Sequence, residues 1–160
     1  MTEQTEQTEE KLFKDLGLMP EIQQAIDEIG FEKPSPIQAE AIPELLGGHD
    51  VIGQAQTGTG KTAAFGLPML QYLDPGNDEV QAIVLTPTRE LCIQVTQALR
   101  SYAEHLDTEI VAVFGGAPIR SQQAQLRSGA HVVVATVGCM KDLISRRSLV
   151  LTAARFVVLD

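Results

Sequence analysis

Five short apolar runs, separated by segments with helical spacing, limit what this chain can fold into. They are Asp50-VIGQA, Gln81-AIVLTP, Glu109-IVAVFGG, His131-VVVAT and Phe156-VVLD. Each is rich in Val and Ile and apolar at consecutive positions, as strands covered on both faces of a parallel sheet are. The spacing between them predicts helices over about Lys61–Tyr72, Arg89–His105, Ile119–Ser128 and Met140–Ser145. Strand and helix in alternation require crossover connections, and hence a layered α/β fold with a mainly parallel sheet. Upstream, Pro20 opens a helix with Ile22, Ile26 and Ile29 on one face and Gly30 at its end. A second begins at Ser35-Pro36, where serine caps and proline takes the first helical position. It carries IQAEAI before Pro43 and the Gly47-Gly48 break.

At 160 residues and 44% hydrophobic content the chain can bury one ordinary core. Residues 1–10 read as a disordered acidic leader and residues 11–160 as one domain. No uninterrupted apolar run approaches the roughly 20 residues of a membrane span. The N-terminus, MTEQTEQTEE, is acidic where a signal peptide would be basic and then apolar, so a cytoplasmic location is expected. Two cysteines, Cys92 and Cys139, are too few for a disulfide framework or a four-ligand zinc site and read as reduced thiols. A formal net charge of -9 argues against a generally basic surface. Four of the acidic residues, Glu3, Glu6, Glu9 and Glu10, lie in the leader, however, and a local groove of Arg and Lys can still hold phosphates.

The first apolar run leads into Ala55-Gln-Thr-Gly-Thr-Gly-Lys-Thr62, close to the phosphate-loop pattern G-x-x-x-x-G-K-[ST] except at its first position. With a strand before it and a helix from Lys61, the N–H groups around Thr57, Gly58, Thr59 and Gly60 can surround a phosphate at the positive end of the helix. Lys61 would reach the β- and γ-phosphates and the Thr62 hydroxyl would hold Mg²⁺. Such a fold needs an acidic residue ending a buried strand, and Asp160 stands there. Taken alone, the loop also reads as a glycine-rich turn with a surface lysine, and Asp160 as a cap or turn residue.

Several stretches in register resemble one family, the DEAD-box ATP-dependent RNA helicases. Gly30-FEKPSPIQ resembles the family's Q motif, with Phe13 where an isolated upstream aromatic is usual. AQTGTGKT is the family's form of the phosphate loop, which accounts for Ala55. Pro87-TRELCIQ resembles motif Ia, Gly115-Gly116 the glycine pair, and VVLD the start of the D-E-A-D box. The resemblance implies a three-layer RecA-like P-loop NTPase domain, incomplete at its C-terminus, that binds ATP, Mg²⁺ and RNA. It implies that Lys61 and Asp160 are catalytic, that Thr62 and Asp160 hold the metal, and that Gln38 reads the adenine edge. Phe31, or Phe13, would pack against the base. Pro87, Thr88, Arg89, Gly115, Gly116, Thr136 and Gly138 would face the RNA backbone, giving little sequence preference.

Local chemistry leaves other readings open. Gln38 can be the polar face of a helix and Phe31 part of the core; Thr88 can cap a helix, Arg89 can pair with Glu90, and the two glycines can form a turn. A small-metabolite kinase fits AQTGTGKT alone but not the other matches, and a non-catalytic nucleotide- or RNA-binding remnant is the alternative in another class. At the T-P-G-R position of the family this chain reads Thr136-Val-Gly-Cys139. The missing arginine implies weaker RNA affinity there, and Cys139→Arg is expected to raise affinity and steepen its salt dependence. The resemblance places the water-polarising glutamate, the S-A-T segment and a second RecA-like domain beyond Asp160. Hydrolysis by these residues alone is not expected. A strand leading to S-A-T is expected between the phosphate-loop strand and the Asp160 strand, so their edges should lie open.

Overall fold

The structure, a computed structural model, describes residues 10–56 and 60–160. Its strands are β1 (Ala82–Thr86), β2 (Ile110–Val113), β3 (Val132–Thr136) and β4 (Phe156–Leu159). All pair in parallel, in the order β2-β3-β1-β4. The helices are α1 (Pro20–Ile29), α2 (Pro36–Leu46), α3 (Lys61–Tyr72), α4 (Arg89–Tyr102), α5 (Ile119–Arg127) and α6 (Val137–Ser145).

Side chains alternate across a strand, so each strand feeds two cores. Ala82, Val84, Ile110, Val132 and Val134 pack with Ile26, Ile42, Leu67 and Leu99 from α1 to α4. Val111, Val113, Val133 and Ala135 face the other way, against Ile119, Leu126 and Leu143 of α5 and α6. Three layers result. Strand β4 departs from this: Phe156 and Val158 join the first core, while Val157 and Leu159 are exposed by 59% and 78%.

Four of the five expected strands form, and the one over 50–55 does not. Residues 51–56 have no regular structure, and the Ile52 side chain is fully exposed. A cavity of about 810 Å³ lies between Val51–Gly53, the α2 residues Ile37, Ala41 and Leu45, and β4. A strand needs a partner at about 4.8 Å to take up its N–H and C=O groups, and among the described residues no strand pairs with 51–56 across this gap. The gap lies where the family resemblance expects a further strand.

Helix α2 continues through Pro43 to Leu46 and ends at the expected Gly47-Gly48 break. Proline there forfeits one N–H bond, and burial of Ala41 and Ile42 holds the turn in place. Helix α6 starts three residues before the expected Met140, because Thr136 ends β3 and is also the residue that begins the helix. Of the expected leader only Glu10 is described, ion-paired with Lys33. The segment after it is docked: Gln71 of α3 accepts from Met19 N–H at 2.8 Å and donates to the Gly17 carbonyl at 3.2 Å. Among the described residues no helix is long and apolar enough to cross a membrane.

Candidate functional site

Parallel strands in register end together, and their carboxyl ends form one edge where open α/β sheets bind ligands. Thr86 of β1 lies opposite Thr136 of β3, Val113 of β2 opposite Ala135, and Leu85 opposite Leu159. The Asp160 N–H continues this ladder to the Leu85 carbonyl at 2.9 Å. The turns therefore leave the edge in a fixed order: Phe114–Gly116 after β2, Thr136–Gly138 after β3, Pro87–Arg89 after β1, and Asp160 after β4. The sequence candidates divide along this line into two neighbouring groups.

At the β4 end, Lys61 from the first turn of α3 places Nζ 3.7 Å from the Asp160 carboxylate. The Asp160 side chain is only 16% exposed, and that of Lys61 is 42% exposed. Thr62 follows in the same turn. Its hydroxyl and the Asp160 carboxylate are hard oxygen donors of the kind Mg²⁺ selects, so this donor set fits that ion. Gly60, immediately before α3, has φ +83°, a left-handed conformation that glycine adopts without strain. Its carbonyl accepts a 3.0 Å bond from Gln38 Nε2, and Gln38 Oε1 accepts from Ser35 N–H at 2.9 Å. Gln38 thus serves as a buried tether from α2 to the residue before α3, and among the described residues one amide hydrogen and one lone pair are left over. Thr57, Gly58 and Thr59 lie outside the described residues.

Phe13 is 2% exposed, with its ring stacked 5.7 Å from that of Phe31. The expected contact of Phe13 with a base is not available here, because the ring belongs to the core. Phe31 lies in front of it, partly exposed, and also meets the Tyr102 ring at 6.0 Å.

The other three turns carry the remaining candidates. Thr88 begins α4, and its side chain accepts from Leu91 N–H at 3.2 Å, so the helix-cap reading holds. Thr88→Ala is expected to cost about 1 kcal/mol of stability, measured by denaturant unfolding. Arg89 leaves Glu90 aside and lies over the Phe114 ring, 5.0 Å from its centroid, a cation–π contact. Pro87, Thr88, Arg89, Gly115 and Gly116 are all exposed. Cys139, where the family resemblance expects arginine, points inward, and its thiol donates to Gln122 Oε1 at 3.2 Å. Burial, and next the Asp142 carboxylate, push the Cys139 thiol up from its ordinary value, which keeps it a donor. An arginine at this position would have to leave that contact, which the sequence gives no hint of.

A family model described as DEAD/DEAH box helicase matches residues 35–160. The chain belongs to the DEAD/DEAH box helicase family. It is 49% identical over 152 residues to the ATP-dependent RNA helicase DeaD of Escherichia coli, an alignment covering 94% of this chain and 24% of that protein. To the DEAD-box ATP-dependent RNA helicase CshA of Bacillus cereus it is 47% identical over 148 residues, covering 92% of this chain and 28% of that one. The crystal structure of a hypothetical ATP-dependent RNA helicase from Sulfolobus tokodaii superposes with a TM-score of 0.81 at 38% identity, over 88% of this chain and 40% of the other. The parallel sheet with flanking helices is thus that of a DEAD-box RecA-like domain. The chain spans about a quarter of the length of the curated relatives it matches.

Two residues of this DEAD-box surface escape a sequence reading. Phe114 carries the Arg89 guanidinium, and Gln122 is 4% exposed with both amide atoms bonded. Phe114 precedes the glycine pair and looks like the end of an apolar strand, while Gln122 looks like any polar residue on a helix. Only the convergence of three turns gives them a role.

Proposed function

We propose that the protein is an ATP-dependent RNA helicase in which residues 11–160 form part of the first RecA-like ATP-binding domain. Lys61 binds the β- and γ-phosphates, with the loop Thr57–Gly60 around them. Thr62 and Asp160 hold Mg²⁺, which when bound neutralises phosphate charge. Gln38 and Phe31 hold adenine, and Pro87–Arg89, Gly115–Gly116 and Thr136–Gly138 face the RNA backbone. Lys61 and Asp160 contribute to hydrolysis, and strand separation follows when a second RecA-like domain closes over ATP.

The meeting of Lys61 and Asp160 beside the Gln38–Gly60 bond carries this reading. Three elements, α2, α3 and β4, bring the Gln38 amide, the Lys61 ammonium and the Asp160 carboxylate to one end of one edge. Competition titrations with ATP, ADP and GTP test it. The adenine nucleotides are expected to bind more tightly than GTP, and Gln38→Ala is expected to remove that preference. Equal affinities in the unmodified protein would withdraw Gln38 from base recognition.

A further inference from the structure

We infer that Gln122 is a positioning residue for the RNA-facing edge, which rests on the RNA reading given above. Its side chain is almost wholly enclosed, at 4% exposure, and both ends of the amide are used. Nε2 donates to the Phe114 carbonyl at 2.9 Å, the last residue before the glycine pair. Oε1 accepts the Cys139 thiol at 3.2 Å, in the first turn of α6 just after Thr136–Gly138. One amide therefore spans two of the three turns. The third is joined through the Phe114 ring, over which Arg89 lies at 5.0 Å.

The link has a definite chemistry. An amide donates and accepts at the same time, so its two ends can hold a carbonyl and a thiol. Neither a hydrocarbon nor a carboxylate of similar size can do both. Buried, these bonds are costly to leave unmade, so their loss would move the turns rather than leave the carbonyl orphaned. Movement of Phe114 carries Arg89 with it. Gln122 touches no phosphate in this account; it acts through the groups that do.

The test compares Gln122→Met, which keeps the volume and removes both bonds, and Gln122→Glu, which keeps the acceptor and removes the donor, with the unmodified chain. Affinity for a fluorescent oligo-U strand is read across a salt series, ADP affinity is read in parallel, and amide hydrogen exchange is followed at Gly115–Gly116 and Gly138–Cys139. Expected are RNA affinity about tenfold lower, a log–log salt slope shallower by about one phosphate contact, unchanged ADP affinity, and faster exchange in both turns. RNA affinity and slope like those of the unmodified chain would overturn the role. So would equal losses of RNA and ADP affinity, which mark general destabilisation. If the unmodified chain binds no oligo-U while its two turns exchange faster in both variants, the RNA reading fails and the coupling of the turns stands. Unchanged exchange would remove the coupling too.

Discussion

Gly60→Ala is expected to weaken ATP and ADP binding by about tenfold or more. Two costs coincide at this residue. A non-glycine residue at φ +83° costs about 1–2 kcal/mol, and the added Cβ would lie 2.1 Å from Gln38 Nε2. The Gln38 amide cannot swing aside freely, because its other end is bonded to Ser35 N–H. Either the turn before Lys61 or the amide must move, and both are assigned to the nucleotide. About 1.4 kcal/mol of distortion expressed in the bound state is a factor of ten in affinity. Calorimetric titration with ADP decides the matter. Wild-type affinity in the alanine variant would mean that neither the loop conformation nor the Gln38 tether matters to binding.

Leu99→Ala is expected to destabilise the fold by about 2–5 kcal/mol, lowering the thermal midpoint by roughly 5–15 °C. Leu99 of α4 is fully buried against α3 and the sheet, and total stability for such a domain is about 5–15 kcal/mol. Its Cδ2 fills the space above Gly66, where an added Cβ would approach it to 2.6 Å. Gly66→Ala alone should therefore cost about 1–3 kcal/mol by overpacking. Combining the two places the new methyl in the space that Leu99 vacates, and the double variant should lose about 1 kcal/mol less than the sum. Strict additivity in denaturant unfolding would mean that the two residues do not share this space.

Periodicity carried most of the fold. Continuous Val and Ile runs marked strands β1 to β3, which are buried on both sides, and also the edge strand β4, which buries one side and pairs with β1, and helical spacing found every helix of residues 20–145. It failed over 50–55, where VIGQA has the same apolar pattern but no neighbour across the cavity. Apolar composition specifies burial, whereas a strand also requires a partner backbone. Pro43 lies inside α2, whose packing outweighs one lost hydrogen bond, and the helix runs on to the glycine pair that was read as its end.

The site was legible where residues act alone. Lys61 and Asp160 were read from their positions at the ends of a loop and a strand, and they meet. Residues that act through others were not legible. Phe13 could be placed near Phe31 but not behind it. Gln38 gave no sign of bonding to Gly60, 22 residues away. The cysteine at 139 looked like a lost charge on an RNA surface, whereas its thiol is turned inward to Gln122.

The proposed function turns on Lys61 and Asp160 marking a nucleotide–Mg²⁺ site. The most direct measurement is calorimetric titration of the chain with ATP, with and without Mg²⁺, beside Lys61→Ala checked for an unchanged circular dichroism spectrum. One saturable site, tightened by Mg²⁺ and lost in Lys61→Ala, is the expected result. Equal binding by both chains, or binding indifferent to Mg²⁺, would contradict it.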